Sequence, residues 1–190
     1  MFEMRFHGRG GQGAVMASKI LAKALVEEGH VVKAIPSFGF ERRGAPVSAF
    51  LRFGDKEIRQ VTNIYNPDCI VCLDPTLSKS VDIFEGINDN AIFIQATKKD
   101  ISELSFPDTL SKVGTCDAFG LAMEIIGRPI TNTIMLGVFA KTTGLVSVGS
   151  INKAMESVAF RDAALNKNIT AVKLGYERTT VLELKGKEIS

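Results

Sequence analysis

The 190-residue chain contains no tryptophan, two tyrosines, two histidines and three cysteines. The two histidines, His7 and His30, leave little for acid–base chemistry. No H-E-x-x-H, G-x-S-x-G or phosphate-loop lysine pattern accompanies them, so no catalytic residue and no triad is expected. His7, at the end of a first strand, reads either as a satisfied strand-end histidine or as a ligand contact. The net charge is +2, too small for a nucleic-acid surface. No apolar run approaches membrane-spanning length, and the N-terminus lacks the apolar stretch of a signal peptide. A cytoplasmic location without a membrane partner is expected.

The cysteines exclude more than they offer. Cys69-x-x-Cys72 has a metal-like spacing, but it lies in Asp68–Asp74, a run that reads as a buried strand. Residues three apart on a strand face opposite sides of the sheet. No second pair completes a four-thiolate site. Cys69, Cys72 and Cys116 are therefore expected to be buried structural residues, with no metal or iron–sulfur cluster held by this chain.

What is present is a patterned, folded chain: 45% hydrophobic residues, no low-complexity tract and no internal repeat. Its length suits one α/β domain spanning residues 1–190. Near the start, Gly8, Gly10 and Gly13 have the spacing G-x-G-x-x-G between a short alternating run (Glu3–His7) and a helical pattern (Ala14–Glu28). A tight turn there could aim backbone N–H groups and the positive end of a helix dipole at an anion, or could simply be a packing solution. Val31–Ile35 reads as a second strand, so the opening is βαβ-like and predicts a parallel pair. A dinucleotide site would place an acidic residue near the end of that strand. The sequence there is Lys33-Ala-Ile-Pro-Ser37, which argues against NAD(P).

Ser37–Pro46 combines two aromatics, Glu41, Arg42, Arg43 and Gly44. Such a loop is either a solvated surface segment or a carrier of guanidinium groups for a carboxylate or phosphate. Val47–Phe53 alternates and, with Glu57–Val61, suggests an inserted β-hairpin. Asp68–Leu73, Ala91–Gln95 and Val113–Thr115 read as further strands, making a Rossmann-like, mainly parallel sheet flanked by helices. Asp74, past the end of one strand, is a possible site residue or a turn cap. Helices are expected over Phe119–Ile126, Thr131–Lys141, Ser150–Ala159 (capped by Ser150) and Arg161–Glu177, with Thr179–Leu184 pairing as a last strand or with a partner chain.

Three segments, His7-Gly-Arg-Gly-Gly-Gln-Gly13, Phe38-Gly-Phe-Glu-Arg-Arg-Gly44 and Asn132-Thr-Ile-Met-Leu-Gly-Val-Phe-Ala-Lys-Thr-Thr-Gly144, together resemble the gamma subunit of 2-oxoacid:ferredoxin oxidoreductases, most of all the pyruvate (pyruvate synthase) type. Gly44-Ala45 and Phe38 depart mildly from the usual pattern. The resemblance implies a complex that oxidatively decarboxylates pyruvate to acetyl-CoA and CO2 and reduces ferredoxin. Thiamine pyrophosphate with magnesium and the [4Fe–4S] clusters belong, in this resemblance, to alpha, beta and delta subunits. The gamma chain, inactive alone, assists coenzyme A binding. The residues expected to face coenzyme A or the partner subunits are Gly8, Arg9, Gly10, Gly11, Gln12, Gly13, Glu41, Arg42, Arg43 and Gly44. Alternatives are a gamma subunit for 2-oxoisovalerate, 2-oxoglutarate or indolepyruvate, or a stand-alone nucleotide-binding regulatory protein.

Overall fold

Alternation along the first strand sorts the molecule into two faces. Met4 and Phe6 are fully buried in one core, whereas Arg5 and His7 project to the other side. The computed structural model describes residues 1–36, 44–158, 160 and 162–184. In chain order these form β1 (Phe2–Arg9), α1 (Ala14–Glu27), β2 (Val31–Pro36), β3 (Pro46–Gly54), β4 (Cys69–Cys72), β5 (Ile92–Ala96), β6 (Lys112–Cys116), α2 (Ala118–Ile125), α3 (Asn132–Thr143), α4 (Val148–Val158), α5 (Asp162–Glu177) and β7 (Thr180–Glu183).

The strands make one mixed sheet in the order β2-β3-β1-β4-β5-β6-β7. Strands β1, β4, β5 and β6 are parallel. Strand β3 is antiparallel to both β1 and β2, and β7 is antiparallel to β6. All five helices contribute to a single core on one face of the sheet. The opposite face is covered by irregular connections, whose Leu77, Ile83, Phe84 and Ile87 pack on Ile70 and Phe93. The right-handed crossover rule accounts for α1 and for the connections that follow β4 and β5. From β1 the chain extends the sheet one way through α1, and from β4 it extends the other way, so the connections must change face.

The α/β architecture follows the sequence pattern, with three differences. Strands β1 and β2 do run the same way, but β3 lies between them, so they are not neighbours. Residues 57–61 do not return as a strand. The buried Arg52 guanidinium instead takes the carbonyls of Thr62 (2.6 Å) and Asn63 (3.2 Å), drawing the segment across the sheet. Helix α4 begins two residues before its expected cap, Ser150, because the Ser147 hydroxyl accepts from the Ser150 N–H (3.1 Å) and takes over the capping role.

Helix α3 explains its own composition. It is buried continuously from Asn132 to Ala140, hence apolar nearly all round. Its tightest crossing is with α5, where a Cβ on Gly137 would strike the Val172 carbonyl and one on Gly175 the Ile134 carbonyl. Gly149, exposed in α4, has only the Ser147 hydroxyl near it, at 3.7 Å. Gly137→Ala is therefore expected to destabilise the fold by about 1–3 kcal/mol through overpacking. Gly149→Ala should stabilise it by about 0.5–1 kcal/mol. Chemical denaturation of both variants checks this opposition of sign, and equal effects would contradict it.

Candidate functional site

Neighbouring strands β1 and β4 leave the sheet toward opposite faces, a point at which open α/β sheets form a crevice. A polar network spans the gap. Asp74, 7% exposed, accepts from Arg9 Nε (3.1 Å) and Gln12 Nε2 (2.8 Å) on one oxygen. Its other oxygen accepts from the Thr76 N–H (2.9 Å) and Thr76 hydroxyl (2.6 Å). Burial pushes this carboxyl upward, but the hydrogen bonds from Thr76 and Gln12 and the Arg9 charge outweigh it and hold the group below its ordinary range. Arg9 also donates to the Gly44 carbonyl (3.1 Å) and the Thr76 hydroxyl (2.9 Å), while its N–H donates to Gln12 Oε1 (2.7 Å). Its guanidinium is thus committed to the protein itself.

The glycine bend is laced to the start of β3: the Gly10 N–H donates to the Ala45 carbonyl (2.9 Å) and the Gly44 N–H to the Gly10 carbonyl (3.1 Å). Gly11 (φ 94°) and Gly13 (φ 80°) occupy left-handed backbone that favours glycine. At Gly13 the space a Cβ would need is also filled by the Asn132 carboxamide. Gly8 is different, because a Cβ there would meet Ala14 and Leu73 at 3.4 Å, an ordinary contact. Gly13 begins α1 without any side-chain cap, so the first-turn N–H groups retain their pull on an anion.

Two clefts open beside this bend. The larger, about 850 Å³, is lined by Gly10, Gly11 and Gln12 on one side and Phe119, Arg128 and Pro129 on the other. The smaller, about 480 Å³, lies between Gly11, Gly13 and Met16 and the side chains of Ile130, Asn132 and Phe160. Exposed Arg128 borders both clefts, and its side chain bonds to no other described residue. Asn132 is 3% exposed; its Oδ1 accepts from the Thr133 N–H (2.9 Å), and its Nδ2 donates to no described residue. Thr131 fixes this helix start to the residue just past β4 through the Leu73 carbonyl (3.3 Å).

Of the residues singled out from sequence, Gly10, Gly11, Gln12 and Gly13 line the clefts, Gly8 lies within β1, and Arg9 and Gly44 brace the bend. Glu41, Arg42 and Arg43 lie outside the described residues. Arg128, Asn132 and Phe119 were not singled out. Arg128, between Gly127 and Pro129, reads as part of a helix stop. Asn132 carried a usable signal, a lone amide opening an otherwise apolar segment.

The cysteines do not fit a metal cluster. Cys69 belongs to the helix-covered core and Cys72 to the opposite one. Burial pushes the Cys72 thiol up to about 12 and the Cys116 thiol to about 11. The described residues contain no group of three or more His, Cys, Asp or Glu side chains placed around a metal. Nor does any described helix have the length and apolarity to cross a membrane.

His7 lies off the clefts on the helix-free face, 7% exposed, its Nδ1 3.4 Å from the Ser48 hydroxyl. Burial and then the Arg5 charge push its pKa from 6.5 down to about 4. The folded state thus resists protonating a group that the unfolded chain protonates readily. Its contribution to stability is full above pH 6.5 and is lost as pH falls toward 4. Urea unfolding at pH 7 and pH 5 should show His7→Gln losing about 2 kcal/mol less than the parent. Equal losses would contradict this assignment.

Comparison with known proteins agrees with this geometry. The family model described as pyruvate ferredoxin/flavodoxin oxidoreductase matches residues 3–178. The NADH-dependent phenylglyoxylate dehydrogenase subunit gamma of Aromatoleum evansii is 61% identical over 95% of both chains. The pyruvate/ketoisovalerate oxidoreductases common subunit gamma of Thermococcus kodakarensis is 48% identical over 97% of this chain and 100% of its own. The crystal structure of the pyruvate oxidoreductase subunit PORC of Thermotoga maritima, 38% identical, superposes with a TM-score of 0.82 over 96% of this chain and 98% of that one. A glycine bend at the reversal of a mixed sheet, held in a chain of matching length, thus belongs to the pyruvate ferredoxin/flavodoxin oxidoreductase family, in which this chain is a gamma subunit of a 2-oxoacid:ferredoxin oxidoreductase.

Proposed function

We propose that this subunit supplies the coenzyme A-facing wall of a complex that converts a 2-oxoacid, coenzyme A and an oxidised acceptor into an acyl-CoA, CO2 and the reduced acceptor. The observation that carries the reading is the uncapped start of α1 facing two clefts, beside an Asn132 Nδ2 with no described partner. Those donors suit a phosphate-bearing ligand, since a helix N-terminus and a planar guanidinium both favour anionic oxygens. Gly10, Gly11 and Gln12 would lie along it, Arg128 would neutralise a phosphate, and Phe119 and Met16 would cover its apolar arm. Arg9 acts indirectly by bracing the bend, and Glu41, Arg42 and Arg43, outside the described residues, remain candidates for facing coenzyme A or the partner subunits. Coenzyme A supplies the thiol that receives the acyl group.

In this reading the chain brings no catalytic side chain. Thiamine pyrophosphate with magnesium and the [4Fe–4S] clusters sit on the alpha, beta and delta subunits, and ferredoxin is the acceptor. The choice of 2-oxoacid belongs to those partners. The name "common subunit" borne by the Thermococcus kodakarensis relative supports this, since it serves both pyruvate and ketoisovalerate oxidoreductases. The 61% identity with a phenylglyoxylate dehydrogenase subunit favours an aromatic 2-oxoacid. Pyruvate is the second reading, supported by the 47% identical pyruvate synthase subunit PorC.

Steady-state kinetics of the assembled complex test both parts. Arg128→Ala should raise KM for coenzyme A about tenfold with kcat nearly unchanged, as expected for lost ground-state binding. An unchanged KM in an intact complex would remove the coenzyme A role. A higher kcat/KM for phenylglyoxylate than for pyruvate is expected, and the reverse order would select pyruvate.

A further inference from the structure

A third cleft, of about 650 Å³, opens past the ends of β4, β5 and β6, bounded on one side by the start of α2. Its floor includes Gln95, the last polar side chain of β5. This residue is 7% exposed, yet its carboxamide bonds to no described residue. The carboxamide therefore presents its donor and acceptor to the cleft, where only water or a ligand can pair with them. Its register neighbours do not help: Cys72 gives its thiol hydrogen to the Asp74 carbonyl (3.1 Å), and Thr115 lines the adjoining hollow.

The mouth of the cleft is basic. Lys79, Lys98 and Lys99 are exposed and form no ion pair with any described residue. The two acids nearby are already occupied as caps: Asp117 accepts from the Gly120 N–H (3.0 Å) and Glu103 from the Asp100 N–H (3.4 Å). Phe119 forms an aromatic wall that this cleft shares with the larger cleft beside the glycine bend.

We infer that this cleft binds a nucleoside diphosphate, with the base edge hydrogen-bonded to Gln95, the base against Phe119 and the phosphates at Lys79, Lys98 and Lys99. A carboxamide offers a donor and an acceptor side by side, the pattern of a base edge and not of a bare anion. The size lies within the ordinary range for small-ligand sites. The nucleoside diphosphate could be a free nucleotide or the nucleotide end of coenzyme A. The second source rests on the proposed coenzyme A role, whereas the first does not.

Calorimetric titration of the assembled complex with ADP, with inorganic phosphate as control, tests the inference. The parent should bind ADP. Gln95→Leu should weaken ADP about tenfold or more while leaving phosphate binding in place, and Lys98→Ala/Lys99→Ala should weaken both. If ADP competes with coenzyme A and Gln95→Leu raises KM for coenzyme A, the cleft takes the coenzyme's own nucleotide. If ADP binds alongside coenzyme A and that KM stays unchanged, the ligand is a free nucleotide. Loss of coenzyme A dependence on Arg128 alone leaves ADP binding untouched, which separates failure of the earlier reading from failure of this one. No ADP binding by the parent, or parental affinity in both correctly assembled variants, would overturn the inference.

Discussion

The structure turns on one carboxylate. Strands β1 and β4 are hydrogen-bonded neighbours whose continuations depart to opposite faces, so the sheet tends to gape where they separate. Asp74 closes that gap by accepting four hydrogen bonds, one from Arg9 at the end of β1, one from Gln12 after it, and two from Thr76 beyond β4. The Arg9–Asp74 pair is partly buried, with side-chain exposures of 28% and 11%. In such a setting the Coulomb gain alone does not cover desolvation. What makes the arrangement favourable is that both carboxylate oxygens are hydrogen-bonded and that each terminal nitrogen of the guanidinium also has a partner, in Gly44 and Thr76.

From this constraint the shape of the site follows. With Arg9 and Gln12 anchored, the chain between them and α1 must reverse within a few residues, which sends Gly11 and Gly13 into left-handed backbone. That reversal leaves the first turn of α1 uncapped and aimed outward. The Asn132 carboxamide then lodges against Gly13, coupling the bend to the start of the buried helix α3. The charge of the bend is therefore organised by groups that are themselves neutralised, while the uncommitted donors face the clefts.

Much of this was legible in the order of residues. The buried strands β4, β5 and β6, the wholly apolar α3 and the glycine bend all follow from local periodicity and turn chemistry, which depend on near neighbours. The strand at 46–54 was legible as well, but its partners were not: β3 pairs with β1 and β2 across the fold, and residues 57–61, expected to return as the hairpin's second strand, lead instead to Thr62 and Asn63, whose carbonyls accept from Arg52. The role of Arg9 was hidden for the same reason. A guanidinium beside a glycine loop reads as an anion ligand until Asp74, 65 residues away, takes it. Arg128 and Asn132 reach the site only because α2 and α3 pack on the same face as α1, which is tertiary information.

The most direct test of this account is amide hydrogen exchange of the assembled complex carrying Asp74→Ala. The account predicts faster exchange across Arg9–Ala17 and Gly44–Ala45, with the β5 and β6 amides protected as in the parent. Unchanged protection across the bend would show that the glycine loop holds its shape without the carboxylate, and would contradict the central claim.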